Sequence, residues 1–231
     1  MRRRQFASSL PVLLLAPLAG PASAQGLAGI SEADATKGLR GALEKGAMAA
    51  VQFLGRQDGF LGNAQVRIPL PSYLKDAAKI LSALGQRRQV EELEVAMNRA
   101  AEAAVPMAKK LLADAVRNMS VRDAKRILTG GDTSVTEFFA ERTRAPLSVS
   151  FLPVVRQATS RVQLAEKADR LAQKAQAFGL VKMDDASIDH YVTRKALDAL
   201  YLVIGEEERK IRRDPVGTGN ALLSKVFDAL R

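Results

Sequence analysis

Valine and isoleucine are scattered along this chain instead of alternating with polar residues, and alanine and leucine are abundant. A sheet needs a two-residue rhythm to sort its faces, whereas Ala and Leu are the strongest helix formers, so the pattern favours helix nearly everywhere. Glycine, proline and capping residues then cut the chain into segments. Ser31 with Asp34 three residues on reads as a capping box that starts a helix running to about Leu54. A second helix is expected from about Pro71 to Leu84, stopped at Gly85, and a third from near Arg87 to just before Pro106. Pro106 suits the first turn of a fourth, ending near Asn118.

Ser120 and Asp123 repeat the capping pattern for a short helix that ends at Gly130 and Gly131. Residues Asp132 to Ser134 are expected to cap the next, through about Arg142. A longer segment from Pro146 to Phe178 follows, with Pro153 expected to break or kink it. Ser187 opens the last long helix, which ends before Pro215, and Asn220 caps a terminal one over 221–230. The sum is an all-α, single-domain bundle of about seven to nine helices. No repeat of fixed period and no low-complexity linker interrupts it.

Residues 1–24 stand outside that body. Arg2, Arg3 and Arg4 precede an apolar run from Phe6 to Leu18, and Ala22-Ser23-Ala24 supplies a small-x-small cleavage site. The run is short for a bilayer span and carries prolines. We therefore expect a signal peptide removed after Ala24, a mature chain beginning at Gln25, and a periplasmic protein with no integral membrane segment after cleavage. Arg3-Arg4-Gln5-Phe6 is the core of a twin-arginine signal, though Arg2 stands where a serine or threonine is usual; an arginine-rich general secretory signal is the other route.

The net charge of +10 falls to +7 with the leader, which takes three arginines and no acid. A positive surface in the envelope meets anionic components, such as lipid head groups or acidic polysaccharide, although dispersed charge of this size also simply keeps a protein soluble. Nucleic acid is not an expected partner, because no basic run is interleaved with aromatics and tryptophan is absent. With no cysteine, an exported chain has no disulfides and rests on its core. The missing cysteines and a single histidine, His190, also remove the usual zinc, haem and iron–sulfur ligand sets; no cofactor is expected, and a magnesium or calcium site made only of carboxylates stays open.

Spacing tests the third helix. Val90, Leu93, Met97, Ala100 and Ala104 fall on one stripe, the face a bundle helix buries, and Glu91, Glu94, Asn98 and Glu102 lie on an adjacent flank. Carboxylates a turn apart occur in bundle metal sites, but the histidines that complete such sites are missing, and a solvated or salt-bridged face is the reading that explains the row better. In the last long helix, apolar residues from Tyr191 to Ile204 spread around the circumference. The run Glu206 to Lys210 after Gly205 is expected to be an exposed, charge-paired end.

The anomaly is LGRQDGFLGNAQVRIPLPSY from Leu54 to Tyr73, expected as one long irregular loop over about 54–72. Ordered irregular connections of this length are often functional. Asp58-Gly59 and Gly62-Asn63 suit tight turns, and Phe60, Leu61, Ile68 and Leu70 are apolar enough to hold the loop on the third helix, with Asn98 as the polar anchor. A packed crossover and a ligand lip or partner surface are both open readings. Leu128 to Ser134 resembles a small anion nest ahead of a helix, although Asp132 would repel an anion and a helix end meeting a helix start explains the same residues. His190, after Asp189 in a first helical turn, has no evident nucleophile partner.

The runs LGRQDGFLGNAQVRIPLP, LEVAMNRAAEAAVP, ILTGGDTSVTEFF and YVTRKALDALYLVIGEEERKIRRDP, in that order, resemble the bacterial envelope family catalogued as domain of unknown function 4197. The resemblance runs from about Ile30 to Leu230. It implies an exported, mostly helical protein of Gram-negative bacteria and carries over no catalytic residue. The candidate ligand or partner surface is therefore Asp58, Asn63, Glu94, Asn98, Glu102, Asp132 and Thr133, with no residue assigned to catalysis and none to a metal. Two function classes remain open at the level of sequence. One is a non-enzymatic binding or scaffold protein, its partner an envelope protein or an anionic envelope component. The other is a hydrolase or transferase using Asp58, Glu94, Glu102 and Asp132, which requires at least two of these acids in one enclosed pocket. A third possibility, an amphiphile or lipid carrier, requires an apolar cavity between helices.

Overall fold

A computed structural model of the chain describes residues 32–160 and 187–214. The leader, the Ser31 cap, the expected helical stretch 161–178 and the terminal helix 221–230 lie outside the described residues. Within them the chain is helical, with no strand.

Helix α1 spans Glu32–Leu54 and α2 spans Ser72–Leu81. One wide π-turn, Ser82–Gln86, joins α2 to α3, Arg87–Ala104. Gly85 sits in that turn at φ 79°, a left-handed conformation that glycine adopts without steric cost. After α3 the chain passes through a single 3-10 turn, Val105–Met107, into α4, Ala108–Arg117. Pro106 stands in the first positions of that turn, where a missing N–H leaves no ladder bond unmade, so it redirects the helix without ending it. With α3 and α4 fused end to end, the described residues form six helical rods, fewer than the seven to nine that punctuation predicts for the chain. Helix α5 is Val121–Thr129, α6 is Ser134–Thr159 and α7 is Ile188–Arg213.

Two expectations at α6 are corrected. The helix neither ends near Arg142 nor breaks at Pro153, but runs unbroken through Pro146 and Pro153. A proline inside a helix costs about 3 kcal/mol through a lost N–H bond and a ring clash. Here both prolines are exposed, seven residues apart, while Phe138, Phe139, Leu147, Phe151 and Val155 on the buried side are excluded from water. Each large apolar side chain buried there contributes roughly 1.5–3 kcal/mol, which outweighs two solvent-side defects. Nor do Asp132 to Ser134 cap α6 with their own side chains; its N-cap, Thr133, makes no such bond.

The core is built where α6 and α7 pair and where α1, α3 and α4 close around them. Leu93, Met97, Ala100 and Ala104 of α3 are buried, as their spacing predicts, and Val90 is half-buried. The alanines bring helix axes close, and the phenylalanines of α6 with Leu197, Leu200 and Ile204 of α7 fill the centre. The capping box at Ser120 is complete: the Asp123 N–H donates to Ser120 Oγ (3.1 Å), and the Ser120 N–H donates to the Asp123 carboxylate (2.9 Å). Ser187 accepts the His190 N–H at the start of α7.

Candidate functional site

The irregular segment after α1 is a strap laid across α3. It makes its own short-range turns: the Gly59 N–H donates to Arg56 O (3.0 Å), the Gly62 N–H to Asp58 O (3.1 Å), and the Val66 and Arg67 N–H groups to Asn63 O. Asp58 takes φ 63°, uncommon outside glycine, and Gly59 brings the backbone so close to the end of α1 that a Cβ would stand 2.5 Å from Leu54 O. Phe60, Val66 and Ile68 are buried, and Leu61 and Leu70 half-buried.

The backbone groups that the strap takes out of water find their partners on α3 and α7. Asn98, wholly buried, accepts the Ile68 N–H at Oδ1 (2.8 Å) and donates from Nδ2 to Ile68 O (2.9 Å) and Glu94 O (2.8 Å). One turn on, Glu102 Oε1 accepts the N–H groups of Phe60 (3.1 Å) and Leu61 (3.2 Å). Its other oxygen binds Arg99 Nη1 (2.6 Å), and Arg99 Nη2 reaches Asp58 Oδ1 (2.7 Å). The hydrogen bond to Glu102, with that to Asp58, raises the Arg99 pKa further above its ordinary value and keeps it a fixed cation. Arg67 of the strap pairs with Glu94 (2.9 Å), and Tyr191 of α7 donates its hydroxyl to Pro69 O (3.0 Å).

Asp58, Glu94, Asn98 and Glu102 are thus brought together along one face of α3. Asn63 works within the strap, where its Oδ1 accepts the Gln65 N–H (3.1 Å). Asp132 and Thr133 are not part of this assembly. They are exposed at the α5–α6 junction, with the Thr133 hydroxyl donating to Glu137 (2.8 Å). The acids that an enzyme reading requires are divided accordingly. Asp58 and Glu102 share Arg99 but Asp58 faces solvent, Glu94 is tied to Arg67, and Asp132 is elsewhere. The flank of α3 is salt-bridged along its length, with Glu91 on Arg87 (2.8 Å). Among the described residues no group of three or more His, Asp or Glu side chains is placed to hold a metal ion.

The nest-like turn before α6 is occupied by the protein itself, and here a residue read as exposed is corrected. Glu208, expected in the solvated end of α7, is 4 % exposed. Its carboxylate accepts the Val135 N–H (3.1 Å) and the Thr136 N–H (3.3 Å), supplying the negative charge that a helix N-terminus favours. Arg212, one turn later, pairs with it (2.9 Å) and also donates to Ile127 O and Ser134 Oγ. Gly205 lets α7 approach: a Cβ there would lie 2.9 Å from Thr136 Oγ1. An acid-and-base run looks the same whether it faces water or a neighbouring helix, so no local signal distinguishes Glu208 from Glu206.

Two surface clefts flank α7. One, of about 350 Å³, runs between α1 and α7 beside Lys45, Glu207 and Lys210. The other, of about 390 Å³, lies between α6 and α7, with Val149, Leu152 and Leu197 as its apolar lining and Arg144, Arg194 and His190 at its edge. These residues come from two different helices, and periodicity within either helix does not reveal them. No helix among the described residues is long and apolar enough to cross a membrane.

Comparison with known proteins gives a family and no activity. No curated protein and no solved structure matches the chain. Residues 29–228 match the family model described as a protein of unknown function, DUF4197. The strap motif, the Asn98 helix, the α5–α6 junction and α7 all fall within that match, and the chain belongs to this family.

Proposed function

We propose that this chain is an exported, non-enzymatic binding protein of the bacterial periplasm, its leader removed after Ala24, that engages an envelope component at a cleft between its helices. The observation that carries this reading is how the acids are used. Glu102 and Glu208 are spent on backbone N–H groups and guanidiniums inside the fold, Glu94 and Asp58 on arginines at its surface. Carboxylates committed in this way build structure and are not poised for proton transfer, whereas two clefts of ligand size open beside α7. A scaffold role for the strap follows the same logic, since the backbone groups of Phe60, Leu61 and Ile68 bond inward to Glu102 and Asn98 of α3.

The test is made in cells. A photo-crosslinking amino acid replaces Val149 at the mouth of the α6–α7 cleft, or Leu84 at the exposed α2–α3 turn as control. Adducts are then sought in the periplasmic fraction, where intact mass should show a chain starting at Gln25. An adduct at position 149 absent at 84 is the expected result. Hydrolysis of ester, phosphoester or glycoside substrates that Glu102→Gln or Asp58→Asn abolishes, with the fold retained, would overturn the non-enzymatic reading.

A further inference from the structure

Resting on that binding reading, we propose that the α6–α7 cleft binds a small amphiphilic monoanion, an acidic head group carrying an alkyl tail. The lining separates into two chemistries. Leu152 and Leu197 form an apolar strip, and Val149 stands at the mouth with 76 % of its surface in water, which carries the apolar lining out to the cleft entrance. Every ionisable residue of the lining is basic: Arg144 from α6, and Arg194 and His190 from α7. Asp198 lies just outside the lining, with Arg144 at 2.9 Å and Arg194 at 3.9 Å from its two oxygens.

The guanidiniums are also held in place. Arg144 stacks over the Tyr201 ring at 4.9 Å and Arg194 over Tyr191 at 5.5 Å, so less side-chain entropy is lost when they grip an anion. A second, independent feature is Thr193. It lines the cleft, is 4 % exposed, and among the described residues is the one buried side-chain hydroxyl without a hydrogen-bond partner. Buried polar groups are ordinarily satisfied, and an oxygen-rich head group offers the acceptor this hydroxyl lacks. The volume, about 390 Å³, falls at the small end of the range of ligand clefts, roughly 300–1,000 Å³, which suits a single short chain.

The chain reports on this site directly, because His190 at the cleft edge is its only histidine. The mature protein, with its imidazole ring labelled, is titrated below micelle concentration with decanoate, with decyltrimethylammonium, and separately with phosphatidylglycerol vesicles. Decanoate should shift the single set of His190 ring resonances saturably, and bind at least tenfold more tightly than the cationic amphiphile. The double variant Arg144→Gln/Arg194→Gln should weaken decanoate by tenfold or more. Val149→Asp, at an exposed position that the fold does not use, should do the same.

An unmoved His190, equal response to the cationic amphiphile, or unchanged affinity in both variants would overturn the assignment. So would a response to vesicles with none to decanoate, which would point to a membrane surface as the partner. Decanoate binding that calorimetry detects while His190 stays unmoved removes the cleft but leaves a binding protein. Turnover dependent on Glu102 removes the underlying reading instead.

Discussion

Replacing Asn98 by alanine isolates what holds the strap. Asn98 sits at the bottom of the strap–α3 contact with no exposed surface, and its amide satisfies both the N–H and the C=O of Ile68, itself buried. Alanine removes both partners at once and leaves two backbone groups in a region without water. Each unsatisfied group costs about 1–3 kcal/mol, and some relief follows if the strap loosens enough to admit a water, so the net loss should be about 2–4 kcal/mol. For a chain of this size, that lowers the thermal midpoint by roughly 5–15 °C. Urea unfolding followed by circular dichroism gives the global loss, and hydrogen exchange over residues 58–70 locates it. If the strap is a packed crossover, stability falls and protection across 58–70 falls with it. If Asn98 instead serves a ligand, the variant should unfold at the wild-type midpoint. An unchanged midpoint with unchanged protection would refute the anchoring argument.

Glu208→Ala should be more costly, about 3–5 kcal/mol, because it strands the half-buried Arg212 and uncaps α6 together; Glu208→Gln, which keeps an acceptor oxygen, should cost less. Urea midpoints decide it, and a loss below about 1 kcal/mol for Glu208→Ala would show that the carboxylate does not cap the helix. Acid sensitivity should come partly from Asp123. Burial pushes its carboxyl up, but hydrogen bonds from the Ser120 N–H and hydroxyl and from Arg142 outweigh this and hold it below the ordinary value. A depressed folded-state pKa contributes stability above the unfolded value, near 3.9, that disappears as pH falls through the folded value. The stability gap between wild type and Asp123→Asn should therefore close as pH drops from about 5 to below about 3, and a gap constant over that range would contradict it.

Local chemistry in the sequence determined most of the helices. The box Ser120–Asp123 works over three residues, Gly85 supplies a left-handed turn, and the α3 stripe follows from 3.6-residue geometry, so each is readable without a neighbour. The strap was legible for a related reason. Phe60 and Ile68 are too apolar to leave in water, and the single buried amide nearby on the predicted helix is Asn98. The tertiary structure alone decided the rest. Pro146 and Pro153 are helix breakers by themselves and become tolerable only because the face opposite them is buried. Glu208 reads like its half-buried neighbours Glu206 and Glu207 until α6 places two backbone N–H groups over it. The α6–α7 cleft joins side chains from two helices, and the distance between them is set by core packing that no one-dimensional period encodes.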